Sequence, residues 1–385
     1  MPEEHVGAID LLSCLKALLL WLLLALLSGC GSISYVWDAA RGHITVLAQA
    51  QDIDSLLLQE NLEPRLRAQL ELVKDIRRYS VDKLAMPENR AYSQYTDLGR
   101  RFVVWNVVAS RDDSFELKRW CFALFGCVSY KGFFDEASAK ELASALSEEG
   151  WDTVVVGVPA YSTLGLTADP VLNTFVYLPP GELARLLFHE LAHQVVYISD
   201  DTRFNESFAT AVEELGVQAW LDRLGDDAFI EQYRSFNAKR EQFTDLLGQA
   251  KTDLEVVYDD PTLSRAEKLQ RKQERLNALS QDYRQVRDLE WAGWNDFEPY
   301  FQGGVNNARL ALVGLYNQEV PSFKTLFARC GSDFPSFYNA VKALGRLDAP
   351  QRADFLQRLA QRQPLPYGLG CDQSMYPPRS SGRYE

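Results

Sequence analysis

The chain has 385 residues, of which 46% are hydrophobic and 24% are charged, and its formal net charge is −13. This length and composition are those of a globular protein with one large domain or two small ones. The acidic balance, without any basic block, argues against nucleic-acid binding.

The N-terminal segment, residues 1–29, reads as a signal peptide. Ala17–Leu27 is an apolar run that is short for a membrane span. The next residues, Leu27-Ser28-Gly29-Cys30, resemble a bacterial lipobox, in which cleavage before the cysteine leaves a thiol for lipid attachment. Gly31 then resembles an outer-membrane sorting signal. We therefore expect a periplasmic chain, 30–385, anchored through Cys30 to a membrane, with the outer membrane favoured. A buried or disulfide-bonded Cys30 is the alternative.

The stretch before residue 180 is predicted to form helices and a small sheet. Apolar residues on a helical period predict two helices, Val36–Ala50 and Ile53–Tyr79. A third helix ends at Gly150, and β-branched residues predict strands around it. The third helix is Asp135–Glu149, and the strands are Phe102–Ala109, Thr153–Val158 and Thr174–Leu178.

A helix beginning near Gly181 carries the sequence His189-Glu190-Leu191-Ala192-His193-Gln194. Residues four apart share a helix face, so His189 and His193 point the same way, one turn apart. Two imidazoles at that spacing suit a tetrahedral cation, usually zinc, and Glu190 fits the general base of a zinc hydrolase. Chance is the alternative, but this apolar helix would then bury histidines without partners.

The third ligand is predicted on a second helix, where Asn205–Glu213 reads NESFATAVE. Glu206 lies in its first turn, and a catalytic zinc needs three protein ligands, so we expect one Zn²⁺ per chain. An acid that is merely favourable at a helix N-terminus is the alternative. Thr210, one turn later, is predicted to orient a ligand.

The two motifs resemble the aminopeptidase N family, in which HELAHQ is followed by NEGFA and a further acid. Most of the mature chain resembles a family of bacterial lipoproteins identified as predicted zinc aminopeptidases. The stretches that carry this closer resemblance are CVSYKGFF (Cys127–Phe134), AYSTLG (Ala160–Gly165) with DPV (Asp169–Val171), and NNARL (Asn306–Leu310) with Tyr316. The resemblance implies a gluzincin, a zinc peptidase whose third ligand is Glu. Its fold would be α+β and mostly helical, a zincin-like domain with a small sheet.

Two departures from aminopeptidase N weaken the prediction of specificity for a free N-terminus. Only twelve residues separate His193 from Glu206, which is a shorter connection than in that family. The GAMEN motif, which reads the substrate amine there, is missing. Met86-Pro87-Glu88-Asn89 looks like its tail but lies far upstream, and we interpret it as coincidence.

The resemblance also suggests residues that contact substrate. The stretch containing Tyr161 and Asp169 lies upstream of the metal helix, where aminopeptidase N carries its substrate-binding loop, and Asp169 could bind an α-amine. A plain Asp-Pro turn is the alternative. Tyr316 is predicted to stabilise the oxyanion, on a helix opened by Asn306, whose N-terminal N–H groups could face the substrate. Tyr300 lies at a similarly suitable distance, and a packed core tyrosine is the alternative for Tyr316.

Residues 226–290 are rich in charged residues, with apolar ones at helical spacing and a break at Asp259-Asp260-Pro261. This pattern predicts an inserted antiparallel helical hairpin. The hairpin could cover the site or bind a protein partner, and a purely structural role is the alternative. The predicted closing helices are Pro321–Arg329, Pro335–Leu344 and Ala349–Leu359.

Four cysteines of the mature chain remain besides Cys30, and an even number in an oxidising compartment favours disulfides. The simplest of the three pairings joins Cys121 to Cys127 and Cys330 to Cys371. Free buried cysteines are the alternative, and zinc ligation is disfavoured because no C-x-x-C spacing occurs.

The sequence thus predicts a lipid-anchored zinc peptidase, an aminopeptidase first, acting on a peptide substrate. A zinc endopeptidase is one alternative. A non-catalytic, lipid-anchored binding or assembly protein with a vestigial zinc site is the other. The intact Glu190 counts against the second alternative, because a structural zinc site has no need of a general base.

Overall fold

The computed structural model describes residues 35, 37–122, 126–363 and 371. The chain separates into two compact units between Gln49 and Ala50, and a single helix, 37–48, is described in the first. The predicted signal peptide, Cys30 and most of the C-terminal tail fall outside the described residues, so signal cleavage and lipid attachment stay predictions. None of the described helices combines the length and apolarity that a membrane span requires.

The described chain is mostly helical, with short strands in its first half. The strands are β1 (Gln51–Asp52), β2 (Gln94–Thr96), β3 (Val104–Arg111), β4 (Trp120–Phe122), β5 (Gly126–Val128), β6 (Lys131–Phe133), β7 (Trp151–Val158) and β8 (Val171–Leu172). The helices are α1 (37–48), α2 (Ile53–Leu57), α3 (Pro64–Asp82), α4 (Glu136–Glu148), α5 (Pro180–Val195), α6 (Thr202–Leu224), α7 (Asp227–Asp259), α8 (Arg265–Leu289), α9 (Asn307–Asn317), α10 (Val320–Arg329), α11 (Phe334–Leu344) and α12 (Ala349–Ala360), with a short 3₁₀ helix at Glu298–Phe301.

The strands form three small sheets. In one, β3 lies between β6 and β7 and runs antiparallel to both, with Val104 opposite Val158 and Arg111 opposite Trp151. In another, β2 lies between β1 and β8, while β4 and β5 pair as a hairpin. The first sheet packs on α4 and on α9. It therefore supports α9, which belongs to the site described below.

Two predicted elements differ from the structure for local reasons. The helix predicted over Ile53–Tyr79 is two helices, because Pro64 has no N–H to continue a helix and instead begins α3, with the Glu63 carboxylate as its cap. The strand predicted at Thr174–Leu178 is a series of turns closed by bonds such as Val176 N to Leu172 O, 2.9 Å. Phe175 and Val176 are buried there without strand pairing, and the strand, β8, lies just before this segment.

Helix α6 is the element on which the other helices of the site pack. Helix α5, which carries His189 and His193, packs on α6 and α3, and α9 and α10 also pack on α6. α7 and α8 pack on each other as the predicted hairpin, and α7 also contacts α9. Disulfides join Cys121 to Cys127 and Cys330 to Cys371, which confirms the simplest predicted pairing.

Candidate metal centre

The first metal helix, α5, is fixed by its sequence at both ends. Pro180 occupies the first helical turn, where a missing N–H costs nothing, and the helix ends at Val195, before Val196 takes an extended backbone. Its apolar face is fully buried, as Leu187 and Leu191 show. His189 and His193 lie one turn apart on the other side, with ring centroids 4.9 Å apart.

The connection to α6 is held by the asparagine that precedes the third ligand. Asn205 Oδ1 accepts from Ile198 N at 2.8 Å, and its Nδ2 donates to Ile198 O at 2.7 Å. Asp201 caps α6 by accepting from Phe204 N, and Arg352 of α12 donates twice to the same carboxylate. These contacts fix the first turns of α6 against α5, and they place Glu206 opposite the two histidines.

His189, His193 and Glu206 form a group that could hold a metal ion. His189 Nε2 lies 3.2 Å from His193 Nε2 and 3.3 Å from Glu206 Oε2, and His193 Nε2 lies 3.8 Å from the same oxygen. Three ligands about 2.1 Å from a tetrahedral ion would be separated by about 3.4 Å. The observed triangle fits that requirement, so the residues brought together are those expected of a three-ligand metal site.

A second carboxylate contacts His189, and it belongs to Glu213, two turns beyond Glu206 on α6. Its Oε2 accepts from His189 Nδ1 at 2.9 Å, and its Oε1 accepts from Arg185 Nε at 2.6 Å. Thr210, the residue predicted to orient a ligand, lies buried in α6, and its predicted role stays untested. The signal for Glu213 was present in the sequence, as an acid on the face of α6 that carries Glu206.

The electrostatics of the cluster favour a cation at the three donors. Burial alone would lower the pKa of His189, but its hydrogen bonds to Glu206 and Glu213 raise that pKa well above the usual value. Burial lowers the pKa of His193 to about 4, which keeps that imidazole neutral and able to act as a ligand. The negative potential of the two carboxylates is thus concentrated where the donors converge.

Glu190 is half-buried on α5, beside the metal-binding group. Burial raises the pKa of its carboxyl to about 7, against the opposing effect of His189, and the carboxylates of Glu206 and Asp169 raise it further. A carboxylate with a pKa near neutrality is suited to accept and return a proton. Its place next to His189 is the one predicted for the general base.

Tyr316 lies beside the metal-binding group, and Tyr300 does not. The Tyr316 ring stacks on the His189 imidazole, with centroids 6.3 Å apart, and the charge of Glu206 together with burial raises the pKa of its hydroxyl. The Tyr300 hydroxyl instead donates to Arg309 O at 3.2 Å, within the aromatic core of the hairpin. Of the two tyrosines considered, the structure brings only Tyr316 to the ligands.

The three residues predicted to bind substrate all have contacts within the fold. The buried Asp169 carboxylate accepts from Thr163 N at 2.9 Å, from Thr163 Oγ1 at 2.7 Å and from Thr167 Oγ1 at 3.2 Å, so it closes its own loop. Asn306 caps α9 and donates to Thr153 O. Tyr161 packs edge-on against Phe134. Their roles towards a substrate stay predictions.

The Met86–Asn89 stretch, interpreted above as a coincidence, lies at the metal helix. Asn89 Nδ2 donates to Gln194 Oε1 at 2.7 Å, which joins the stretch to the last residue of HELAHQ. An ideal Cβ at Gly165 would lie 3.6 Å from the same Gln194 oxygen, so the loop after Tyr161 meets it there. The stretch that lies far upstream in sequence is therefore close to α5 in space, and the interpretation of its likeness to GAMEN as a coincidence stays untested.

Comparison with known proteins agrees with this geometry. The family model described as "Putative aminopeptidase" matches residues 34–356. The chain belongs to this family. Neither the curated proteins nor the solved structures yielded a significant match. The family match covers both ligand helices, α9 with Tyr316, and the whole α7–α8 hairpin, so the hairpin lies inside the family region.

Proposed function

We propose that the protein is a zinc-dependent aminopeptidase of the gluzincin type. The observation that carries the proposal is the triangle of His189 Nε2, His193 Nε2 and Glu206 Oε2, with the Glu190 carboxylate next to it. Two imidazoles and one carboxylate are the ligand set of several catalytic zinc sites. The aminopeptidase family supports a peptide as the substrate.

Each residue of the cluster has a distinct role under this proposal. A bound zinc ion would polarise the scissile carbonyl and increase the acidity of a water molecule. Glu190 takes a proton from the attacking water onto its carboxylate and returns it to the leaving amine. Glu213 and Arg185 hold the His189 ring so that Nε2 faces the other donors. Tyr316 offers a hydroxyl donor to the oxyanion.

The proposal includes a zincin-like arrangement, in which the small sheet lies before the two ligand helices in sequence. α9 joins these parts, because it packs on α6 and on strands β3 and β7. A catalytic role is favoured over a vestigial site by Glu190, which is present directly after His189, where the general base of a zinc hydrolase belongs. A structural zinc site would use four protein ligands and no such base.

Metal content and turnover test the proposal together. We expect the purified protein to hold about one zinc per chain, and His189→Ala and Glu206→Ala to lose it. Glu190→Gln should keep the metal while kcat falls by about 10²–10⁴-fold on amino-acid anilides. Full zinc retention in both ligand variants would exclude the metal assignment. Cleavage of N-terminally blocked peptides, without release of the anilide from free amino-acid anilides, would point to an endopeptidase instead.

The role of Tyr316 has a matched control in Tyr300. Tyr316→Phe removes one hydroxyl beside His189, so kcat should fall by about 10²–10³-fold with little change in KM or zinc content. Tyr300→Phe removes a hydroxyl in the hairpin core and should leave kcat unchanged. Equal kcat values in the two variants would remove Tyr316 from the mechanism.

We further propose a periplasmic location, with acylation at Cys30 and outer-membrane sorting, on the basis of the Leu27–Cys30 lipobox. Replacement of Cys30 by Ala should abolish palmitate labelling and change the fractionation of the protein. Labelling equal to that of the wild type would show that this cysteine is not the lipid site.

A further inference from the structure

Asp200 lies in the connection between the two ligand helices, and its backbone is one that residues other than glycine rarely adopt. Its φ is 67°, in the left-handed region, where Asp is tolerated better than most residues. The connection is short, because α5 ends at Val195 and α6 begins at Thr202. A left-handed residue other than glycine persists where surrounding contacts fix it, and such residues concentrate at functional sites.

The contact that fixes Asp200 comes from the β4–β5 hairpin. Asp200 Oδ1 accepts from Cys127 N of β5 at 2.6 Å. Arg119, just before β4, donates from Nη2 to Asp200 O at 3.4 Å, and the same nitrogen lies 3.6 Å from Asp200 Oδ1. The Arg119 and Asp200 side chains are 55% and 56% exposed, so their charge pairing contributes little. The Cys127 N–H is therefore the donor that directs the Asp200 side chain towards the hairpin.

The hairpin has a backbone that permits this contact. Gly126 has φ = 72°, and an ideal Cβ there would lie 2.9 Å from Asp200 Oδ1 and 3.1 Å from Asp200 Cγ. Glycine suits both that backbone and that close approach. Cys127 lies opposite Cys121 in the strand pair, and their disulfide closes a two-stranded sheet that would be marginally stable alone. The hairpin therefore offers Asp200 a donor on a covalently closed support.

The same connection determines where Glu206 lies. Asp201 caps α6 by accepting from Phe204 N at 3.2 Å, and Arg352 of α12 donates to the other oxygen of that carboxylate at 2.7 Å. The connection is thus held at two adjacent residues, by α12 at Asp201 and by the hairpin at Asp200. A shift at Asp200 would move the cap and the first turns of α6, and with them the carboxylate that faces the two imidazoles.

We propose that Asp200 is a positioning residue for Glu206, through the hydrogen bond from Cys127 N that joins the connection to the disulfide-closed hairpin. The inference rests on the proposed function for its effect on zinc, but the position of α6 does not depend on a metal. A ligand that is fixed before the ion arrives loses less freedom on binding. Groups that hold ligands in place therefore affect metal affinity by about 10–100-fold.

Two substitutions at Asp200 separate its side-chain contact from its backbone conformation. Asp200→Gly removes the acceptor but suits the left-handed backbone, which offsets the greater freedom of glycine in the unfolded chain, so Tm should change little. Asp200→Asn keeps an acceptor oxygen and tolerates the same backbone. Zinc release to a chromophoric chelator should be about tenfold faster in Asp200→Gly and within about threefold of the wild type in Asp200→Asn.

Ser332→Gly is the matched control. Ser332 is also exposed and left-handed, with φ = 57°, but it lies between α10 and α11. This variant should release zinc at the wild-type rate. A wild-type rate of zinc release in Asp200→Gly would overturn the inference, and so would equal acceleration in Asp200→Gly and Asp200→Asn.

The two disulfides provide a second comparison. Replacing Cys121 and Cys127 by Ala should also accelerate zinc release, and adding Asp200→Gly should accelerate it no further, because both changes act on the same contact. Replacing Cys330 and Cys371 by Ala opens the other disulfide and should leave the rate unchanged. Equal acceleration by the two disulfide changes would indicate a general loss of stability and overturn the inference.

Amide hydrogen exchange separates this inference from the proposed function, because it needs no metal. Without zinc, the N–H groups of Phe204 and Asn205, which both donate to Asp201, should exchange about tenfold faster in Asp200→Gly than in the wild type. Ser332→Gly should match the wild type. Faster exchange in a protein that binds no zinc would reject the proposed function and keep the positioning role. Unchanged exchange would overturn the inference in either case.

Discussion

The two oxygens of Glu213 contact different partners, and this division fixes the state of His189. One oxygen accepts the Nδ1 proton of His189, and the other is held by Arg185. Because the pKa of His189 is raised, its imidazole carries a proton on each nitrogen when no metal is bound. A metal ion at Nε2, the atom that faces His193 and Glu206, would replace the Nε2 proton, while Glu213 keeps the Nδ1 proton in place. Arg185 neutralises a buried carboxylate that would otherwise be costly to maintain. The relay therefore sets both the tautomer and the orientation of one ligand.

Glu213→Gln is predicted to weaken zinc binding. Because the amide is a poorer acceptor for the Nδ1 proton and leaves Arg185 without its anionic partner, the zinc affinity should fall about 10–100-fold. Competition with a chromophoric chelator measures it. Thr210→Val on the same helix is the control, and its zinc affinity should stay within a few-fold of the wild type. A larger loss of zinc affinity in Thr210→Val than in Glu213→Gln would instead identify Thr210 as the residue that orients the ligand.

The two histidines of the group that could hold a metal could be placed from the sequence because their geometry is local. His189, Glu190 and His193 share two turns of one helix, so spacing alone places them. Glu213 was within a quoted motif, yet its role depends on Arg185 lying across from it on another helix. Tyr92 gave no signal in the sequence. Its backbone has φ = 62°, and its buried hydroxyl has no hydrogen-bond partner among the described residues, but both features arise only when distant segments meet.

At the scale of elements, helix α7 supports the first turns of the metal helix. The Tyr233 ring of α7 lies over Gly181, and Arg240 pairs with Glu182 at 2.6 Å. Asn237 also approaches Arg185, with 3.5 Å between its Oδ1 and the guanidinium. The hairpin predicted as a cover, a partner-binding arm or a structural element has a structural role on this side. Partner binding elsewhere on the hairpin stays a prediction.

Gly181→Ala is predicted to destabilise the protein, and Gly248→Ala is its control. An ideal Cβ at Gly181 would lie 2.4 Å from a Tyr233 ring carbon, so α5 and α7 must separate, at a cost of about 1–3 kcal/mol. Gly248 lies within α7 with nothing within 4 Å of its ideal Cβ, so alanine there should stabilise by up to about 1 kcal/mol. Urea unfolding measures both, and equal stability of the two variants would show that the contact yields easily.

Element boundaries followed local rules where caps and breakers were present. The helix predicted at Asp135–Glu149 is observed at Glu136–Glu148, with the Asp135 side chain as its cap. The strand prediction for Thr174–Leu178 was wrong because β-branched and aromatic residues indicate burial as much as strand pairing. Whether such a segment pairs depends on a neighbouring strand, which its own composition cannot specify.

At the scale of the whole molecule, two half-buried acids resist ionisation in a chain whose net charge is already −13. Burial and the neighbouring Asp201 raise the pKa of Glu319 to about 7, against the opposing charges of Arg203 and Arg352. Burial likewise raises the pKa of Glu182 to about 7, against Arg185. Both groups therefore bind a proton more tightly in the folded chain than in the unfolded one.

This difference predicts the sign of a pH effect on stability. A carboxyl with a raised folded pKa stabilises the fold at low pH, and that stabilisation is lost as the pH rises from about 4.5 to about 7. Glu319→Gln cannot ionise, so its free energy of unfolding relative to wild type should increase across this window and then level off. Urea unfolding at several pH values measures it. A constant difference from pH 4 to pH 8 would contradict the assignment.

The short connection between α5 and α6 has a consequence for the order in which the protein loses activity and metal as it unfolds. His189, His193 and Glu206 lie within 18 consecutive residues, so closing the loop between them costs little chain entropy. Tyr316 reaches the same place from about a hundred residues further along the chain, and its position depends on the packing of the whole core. In rising urea, peptide hydrolysis should therefore disappear before the metal is released. Simultaneous loss of peptide hydrolysis and of the metal would show that α5 and α6 do not persist as a local unit.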